Sequence, residues 1–278
     1  MAHEFFGVLY QADDVALLVP IVNALQNLLD ICQEFGQEYD VSYNPGKSVC
    51  MQIGGNVTQN RTSVTLNDSD IPWTDSAKYL GNIINSQNND AEDIKHKKND
   101  FIARSNSVIV TYRTACRKAR SKVFLSKCCG FYGSQAWRLD SQHVEDLHLC
   151  WRKAVRRLLN IPRNTRSALL PYLVSCKPFK HQLCVRFVKM LRTVQLSGNE
   201  KMKWLAHILV KSGTIQANVK YIADAWSLPF EDVRVGHSAI IFQKDLSLMQ
   251  RSGAILDFMD NLNFDNVMPH IMAYLCTF

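Results

Sequence analysis

Residues 10–18 read Tyr10-Gln11-Ala12-Asp13-Asp14-Val15-Ala16-Leu17-Leu18. The run Phe5-Phe6-Gly7-Val8-Leu9-Tyr10 before the acidic pair is apolar and aromatic, and Val15–Val19 after it is apolar and partly β-branched. Between them, Gln11 to Asp14 are small or polar. Two strand-like runs about a short polar link predict a β-hairpin with two carboxylates at its tip. Such a pair suits Mg²⁺, which takes a few carboxylates together with substrate phosphates. Two such ions can stabilise the attacking and leaving oxygens of a phosphoryl transfer. An Asp-Asp pair alone is commoner as a plain turn, so the flanking sequence has to decide.

Working outward, Pro20 opens a helix with apolar residues at Val22, Leu25, Leu28, Leu29, Cys32 and Phe35, and Gly36 is its expected C-terminal stop. Val41–Ile53 is β-rich and broken at Asn44-Pro45-Gly46. Val57–Leu66 and Ile71–Ile84 read as further strands. Residues 1–88 therefore form a small α+β unit. The character changes at Asn89-Asp90, where Asp90 can cap a helix that has Glu92 and Asp93 in its first turn. Helices are expected at about 91–115, 120–138 and 141–160, making 89–170 a helical region. A further amphipathic helix at 178–196 has Phe179, Leu183, Phe187, Met190, Leu191 and Val194 as its core. Residues 171–278 form a C-terminal helical region, and its aromatic tail is expected to pack on a partner.

The composition fits a folded protein: 47% of the 278 residues are hydrophobic and 21% charged, which excludes a disordered chain. The longest apolar run, Val15–Val22, is interrupted by Pro20 and too short to span a bilayer. Met1-Ala2-His3-Glu4 lacks a basic n-region, so the expectation is an intracellular protein of nucleus or cytoplasm without a membrane partner. The nine Cys include no C-x-x-C pair, which points to free, mostly buried thiols.

The charge is uneven. Residues 95–166 hold 17 Lys and Arg against 4 Asp and Glu, whereas the other residues hold 15 against 21. One basic block in an otherwise acidic chain points to a polyanion. In the third helix Val144, Leu147, Trp151, Val155, Leu158 and Leu159 form an apolar stripe, and Arg152, Lys153, Arg156 and Arg157 fall largely off it. Taken alone, that helix favours a plain solvated surface. The adjoining Arg117, Lys118, Arg120 and Lys122 favour phosphate contact.

Several motifs in order resemble a known family. Tyr10 to Leu18 resembles the aromatic-Ala-Asp-Asp hairpin of reverse transcriptases, most closely those of non-LTR, LINE-type (Jockey-like) retrotransposons. Ala24 to Cys32 is similar to the palm helix that follows, and Tyr43-Asn44-Pro45-Gly46-Lys47-Ser48 to the next palm segment. Lys78-Tyr79-Leu80-Gly81 resembles the hairpin leading to the thumb, and Arg152–Leu159 with Ile161-Pro162-Arg163 the region beyond it. The likeness covers roughly residues 5–195.

This resemblance implies a partial right-hand polymerase palm followed by a helical thumb. It further implies an RNA-directed DNA polymerase that transfers nucleotides to a primer with Mg²⁺ or Mn²⁺. By match, Asp13 is a metal ligand, Asp14 its less direct partner, and Lys47 lies near the incoming triphosphate. Tyr79, Leu80 and Gly81 lie near the primer end. The basic block holds the RNA template–DNA primer duplex through its phosphates. Gln11 stands where the family has an aromatic, and Tyr10 is one step early, so in a strand its ring turns to the opposite face. The family's fingers and another catalytic Asp precede the hairpin. The chain is therefore expected to be a C-terminal fragment that needs the upstream part for metal binding and catalysis, with an unpaired edge on its palm sheet. The alternative is a non-catalytic RNA/DNA-binding helical module derived from such an element.

Overall fold

The computed structural model describes residues 7–54, 61–199, 202, 212–226 and 271–277. The chain divides into two compact units, one of Met1–Asp93 with Phe264–Phe278, the other of Ile94–Asn263. It is an α+β protein.

The first unit contains β1 (Val8–Gln11), β2 (Asp14–Val19), α1 (Val22–Tyr39), β3 (Val49–Ile53), β4 (Thr65–Leu66), β5 (Ser69–Asp70), β6 (Ser76–Tyr79), β7 (Asn82–Asn85) and β8 (Ile271–Thr277). Its main sheet has the order β1-β2-β8-β3, with antiparallel neighbours throughout. The strand period of two gives the sheet two faces. Val15, Leu17 and Val19 pack with Leu25 and Leu29 of α1 and with Tyr43, Val64 and Ile71. Ala16 and Met51 face the other way, against Ala77, Tyr79 and Ile84.

Four points differ from the sequence reading. Helix α1 runs past Gly36 to Tyr39 and ends at Asp40, which adopts a left-handed conformation with φ 55° and whose N–H bonds to the Gly36 carbonyl. Gly36 serves close approach instead: a Cβ there would lie 2.5 Å from the Val41 carbonyl oxygen and 3.1 Å from the Tyr43 ring. The expected strand at 71–84 is broken by a hairpin, β6–β7, whose turn residues Leu80 and Gly81 both have positive φ (45° and 78°), the mark of a tight type I′ turn. Of the expected strand at 57–66, residues 57–60 lie outside the described residues, and only Thr65–Leu66 pairs, with β5. Finally, β1 and β3 stand at the ends of the main sheet, and a strand that no expectation named lies between β2 and β3. Strand β8, from the far end of the chain, pairs with β2 from Asp14↔Thr277 to Val19↔Met272.

The described residues of the second unit are mainly helical: α2 (Ala91–Thr111), which begins at the end of the first unit, α3 (Arg117–Cys128), α4 (Gln142–Leu159), α5 (Leu170–Leu173), α6 (Phe179–Gln195) and α7 (Gly213–Trp226). The Asn89 side chain accepts the Ala91 N–H at 3.2 Å. Ser141 caps α4 by accepting the Val144 N–H, and Asn160 ends it in a left-handed conformation. The whole predicted stripe of α4 is buried, and it joins Phe101, Phe124, Phe131, Trp137, Phe179 and Phe187 in one core. The helix expected to reach 138 stops at Cys128. Phe131 and Gly133 take positive φ, and the carbonyls of Cys129, Gly130 and Phe131 turn to the Arg186 guanidinium. Residues on both sides of 170 share this core, and α7 enters it through Ile215, Val219 and Ile222. Asn218, 0% exposed, accepts the Leu139 N–H at 2.7 Å and donates to the Trp137 carbonyl at 2.8 Å.

Cys116, Cys128, Cys129, Cys150, Cys176 and Cys184 are free thiols. Burial pushes Cys129 and Cys184 up to about 12 and Cys176 up to about 11, so these thiols stay protonated. No described helix is long and apolar enough to cross a membrane.

Candidate catalytic hairpin and nucleic-acid interface

The hairpin forms where the sequence places it, with a tighter turn. Only Ala12 and Asp13 lie outside the strands, and Gln11 pairs with Asp14. Ala12 takes φ 52°, a positive value at the first loop position; hairpin turns matching the strand twist need this. Asp13 is exposed at the tip, and Asp14 is half-buried at the start of β2. The register confirms the face argument. Tyr10 pairs with the buried Val15 on the α1 side, and Gln11 pairs with Asp14 on the side of Ala16.

Tyr79 lies on that same side, packed against the Ala16–Met51 cluster. Partial burial, and secondarily the Asp14 charge, hold its phenol above the ordinary tyrosine range. The fold thus brings the second hairpin carboxylate and the first of the three expected primer-end residues together from positions 65 residues apart in sequence. Leu80 and Gly81 form the adjoining turn.

Lys47 sits in the turn before β3. Asn44 organises that turn: its side chain accepts the Gly46 N–H at 2.9 Å, and its carbonyl accepts from the Ser48 hydroxyl at 2.9 Å. Val49 pairs with Leu275, and Leu275 with Ala16. Lys47, two residues before Val49, therefore enters at the end of the sheet that carries Asp13 and Asp14. β8 intervenes, which sets the backbones of β2 and β3 about 10 Å apart.

The hairpin supplies two carboxylates, and its neighbouring strands add none. Asp14 faces Thr277 across β8, and β1, β8 and β3 contain no Asp or Glu. Among the described residues no group of three or more His, Cys, Asp or Glu could hold a metal ion.

The basic residues separate into two kinds. Lys118, Lys122 and Lys153 are exposed. Arg117 and Arg157 are also exposed, although Arg117 donates to the Leu173 carbonyl and Arg157 to the Asn106 side chain at 2.8 Å. The other three are half-buried. Arg120 donates to the Leu158 carbonyl at 2.9 Å, tying α3 to the C-terminal turn of α4. Arg156 donates to the Thr165 carbonyl at 2.8 Å and the Ser167 hydroxyl at 2.9 Å, holding the following loop. Arg152 pairs with Glu145 at 3.2 Å. Glu145 also holds Lys180 at 2.7 Å, and with His148 at 3.5 Å it forms a charged cluster at the edge of the core. Nothing in the i, i+4 pattern distinguishes these roles, because the accepting carbonyls belong to the backbone.

Over 170 residues the chain is 28% identical to the RNA-directed DNA polymerase from mobile element jockey of Drosophila funebris, a stretch that covers 56% of this chain and 18% of that protein. The chain is distantly related to a reverse transcriptase. It spans less than a fifth of that protein's length. No protein-family model matches it, and no solved structure does.

Proposed function

We propose that the chain is part of a reverse transcriptase of a LINE-type, Jockey-like element. In this reading the first unit is a partial palm and the helices of the second unit grip an RNA template–DNA primer duplex. The observation that carries the reading is the convergence of Asp14 and Tyr79 on one face of the sheet, together with the relationship to a reverse transcriptase.

The roles follow from the placement. Lys118, Lys122, Lys153, Arg117 and Arg157 present charge to phosphates, an interaction without sequence preference. Tyr79, with Leu80 and Gly81, supports the primer end beside Asp14. Lys47 enters at the same end of the sheet, where a triphosphate would meet the carboxylates. Asp13 and Asp14 would contribute to a Mg²⁺ site completed by carboxylates from elsewhere, since the strand beside Asp14 has none. The 278-residue chain alone therefore binds duplex without extending a primer.

The test combines hybrid binding with primer extension on purified chain. Expected results are salt-dependent affinity for an RNA–DNA hybrid, unchanged by Asp13→Asn, and no Mg²⁺-dependent extension of oligo(dT) on poly(rA). Robust extension would refute the need for further carboxylates. Absence of salt-dependent affinity would refute the duplex-binding role and favour a helical interaction protein. The reading as a non-catalytic binding module differs at Asp14: supplying a carboxylate-bearing upstream segment then restores no activity.

A further inference from the structure

The first unit is assembled from two pieces of chain far apart in sequence, and the smaller piece supplies an interior strand. β2 and β3 do not bond to each other; β8 lies between them and pairs with both.

The amide directions show how much depends on it. The Leu18 N–H bonds to the Gly7 carbonyl at 2.7 Å. By strand alternation the amides of Asp14, Ala16 and Leu18 face β1, and those of Val15, Leu17 and Val19 face β8. On β3 the Cys50 N–H bonds to the Pro72 carbonyl at 2.9 Å, and the Cys50 carbonyl accepts the Thr74 N–H at 2.8 Å. The amides of Val49, Met51 and Ile53 therefore face β8 as well. Val15, Leu17, Val19 and Met51 are each at most 3% exposed. Their amides are out of reach of water, and a buried N–H needs a partner. Among the described residues of 7–93, β2 and β3 thus present two facing rows of donors and acceptors one strand apart, and none of those residues pairs between them.

We propose that the gap between β2 and β3 is a strand-acceptor site, and that Ile271–Thr277 fills it as a donor strand delivered by the same chain. The recognition is the backbone ladder of strand addition, doubled because both neighbours contribute. Seating of the donor also removes two open edges that would otherwise template association between copies.

Hydrogen exchange on the full-length chain tests this residue by residue. The expected result is protection of Leu17 and Met51, which face β8, comparable to that of Leu18, which faces β1. In Ala273→Pro, a proline sits in an interior strand opposite both Leu18 and Met51, where its missing N–H and fixed φ are not tolerated. Protection at Val15, Leu17, Val19, Val49, Met51 and Ile53 should be lost, with Val155 and Leu158 of the other unit unchanged. A synthetic peptide of residues 271–277 added to this variant should restore it. Fast exchange of Leu17 and Met51 in the unmodified chain, or unchanged protection in Ala273→Pro, would overturn the proposal. So would failure of the peptide to restore protection, even if the variant's first unit unfolds entirely. Protection that depends on protein concentration and tracks a dimer in sedimentation would overturn delivery by the same chain.

Discussion

Asp14 and Tyr79 share one face of the main sheet, and the Asp14 carboxylate helps hold the Tyr79 phenol above its ordinary range. Burial is the larger cause and the charge the smaller. Asp14→Asn removes the charge and leaves the burial. The Tyr79 pKa should therefore fall part of the way toward the ordinary value of 10.0 and remain above it. Phenolate absorbance against pH, with Tyr79→Phe to assign the transition, measures this. A Tyr79 titration unmoved by Asp14→Asn would separate the two residues.

Gly36 lies where the chain folds back over α1. Alanine there places a methyl group 2.5 Å from the Val41 carbonyl oxygen, a backbone atom that cannot step aside cheaply. Gly36→Ala should destabilise the first unit by about 1–3 kcal/mol, the range for overpacking a tight site. Any gain in helix propensity is smaller, at most about 1 kcal/mol. Urea denaturation followed by a probe in the first unit reads the sign directly.

Asn218 clamps α7 to the Trp137–Leu139 segment with two hydrogen bonds in a fully buried site. Asn218→Ala leaves a buried N–H and a buried carbonyl without partners and should cost about 3 kcal/mol. Tryptophan fluorescence during denaturation should show the second unit unfolding at lower denaturant.

The Glu145 cluster makes the second unit acid-sensitive in two stages. Burial, then the nearby Arg152, lowers the His148 pKa below 6.5, and the ring stacks on Phe179 at 5.2 Å. A histidine depressed in the fold costs nothing while both states are neutral; stability is lost as pH falls below its unfolded value. Glu145 is also lowered, first by its hydrogen bond from Lys180. Its contribution is complete above its ordinary value of 4.5 and is lost as pH falls through the lower folded value. The melting temperature should therefore decline on acidification below pH 6.5 and decline further below 4.5. His148→Gln should flatten the first stage and leave the second.

The exposed lysines and the half-buried arginines should respond to mutation in opposite ways. Replacing Lys118, Lys122 and Lys153 together by Ala should leave the melting temperature nearly unchanged and make the slope of log K against log salt shallower by about 2–3. Arg156→Ala should do the reverse. It removes the donor to the Thr165 carbonyl and Ser167 hydroxyl and should cost about 1–3 kcal/mol of stability.

Much of this was legible in the residues themselves. The α4 stripe is legible because one apolar face recurs at helical spacing, and the hairpin because its acidic pair stands between two apolar runs. The arginine roles were not, because Arg120 and Arg156 are fixed by backbone carbonyls that carry no side-chain signal. Gly36 reads as a helix stop because the sequence does not show Val41 crossing over it. β8 was the least legible: its pattern is that of any short apolar run, and its partners Asp14–Val19 and Val49–Ile53 lie more than two hundred residues away. A local reading cannot pair such segments.

The central claim is that the chain holds a nucleic-acid duplex through phosphates. Anisotropy of a labelled RNA–DNA hybrid, titrated with the 278-residue chain across a series of potassium chloride concentrations, tests it most directly. The account predicts affinity that falls steeply with salt, a slope that becomes shallower when Lys118, Lys122 and Lys153 are removed, and no change with Asp13→Asn. Binding that is absent, or that ignores salt and those lysines, would contradict it.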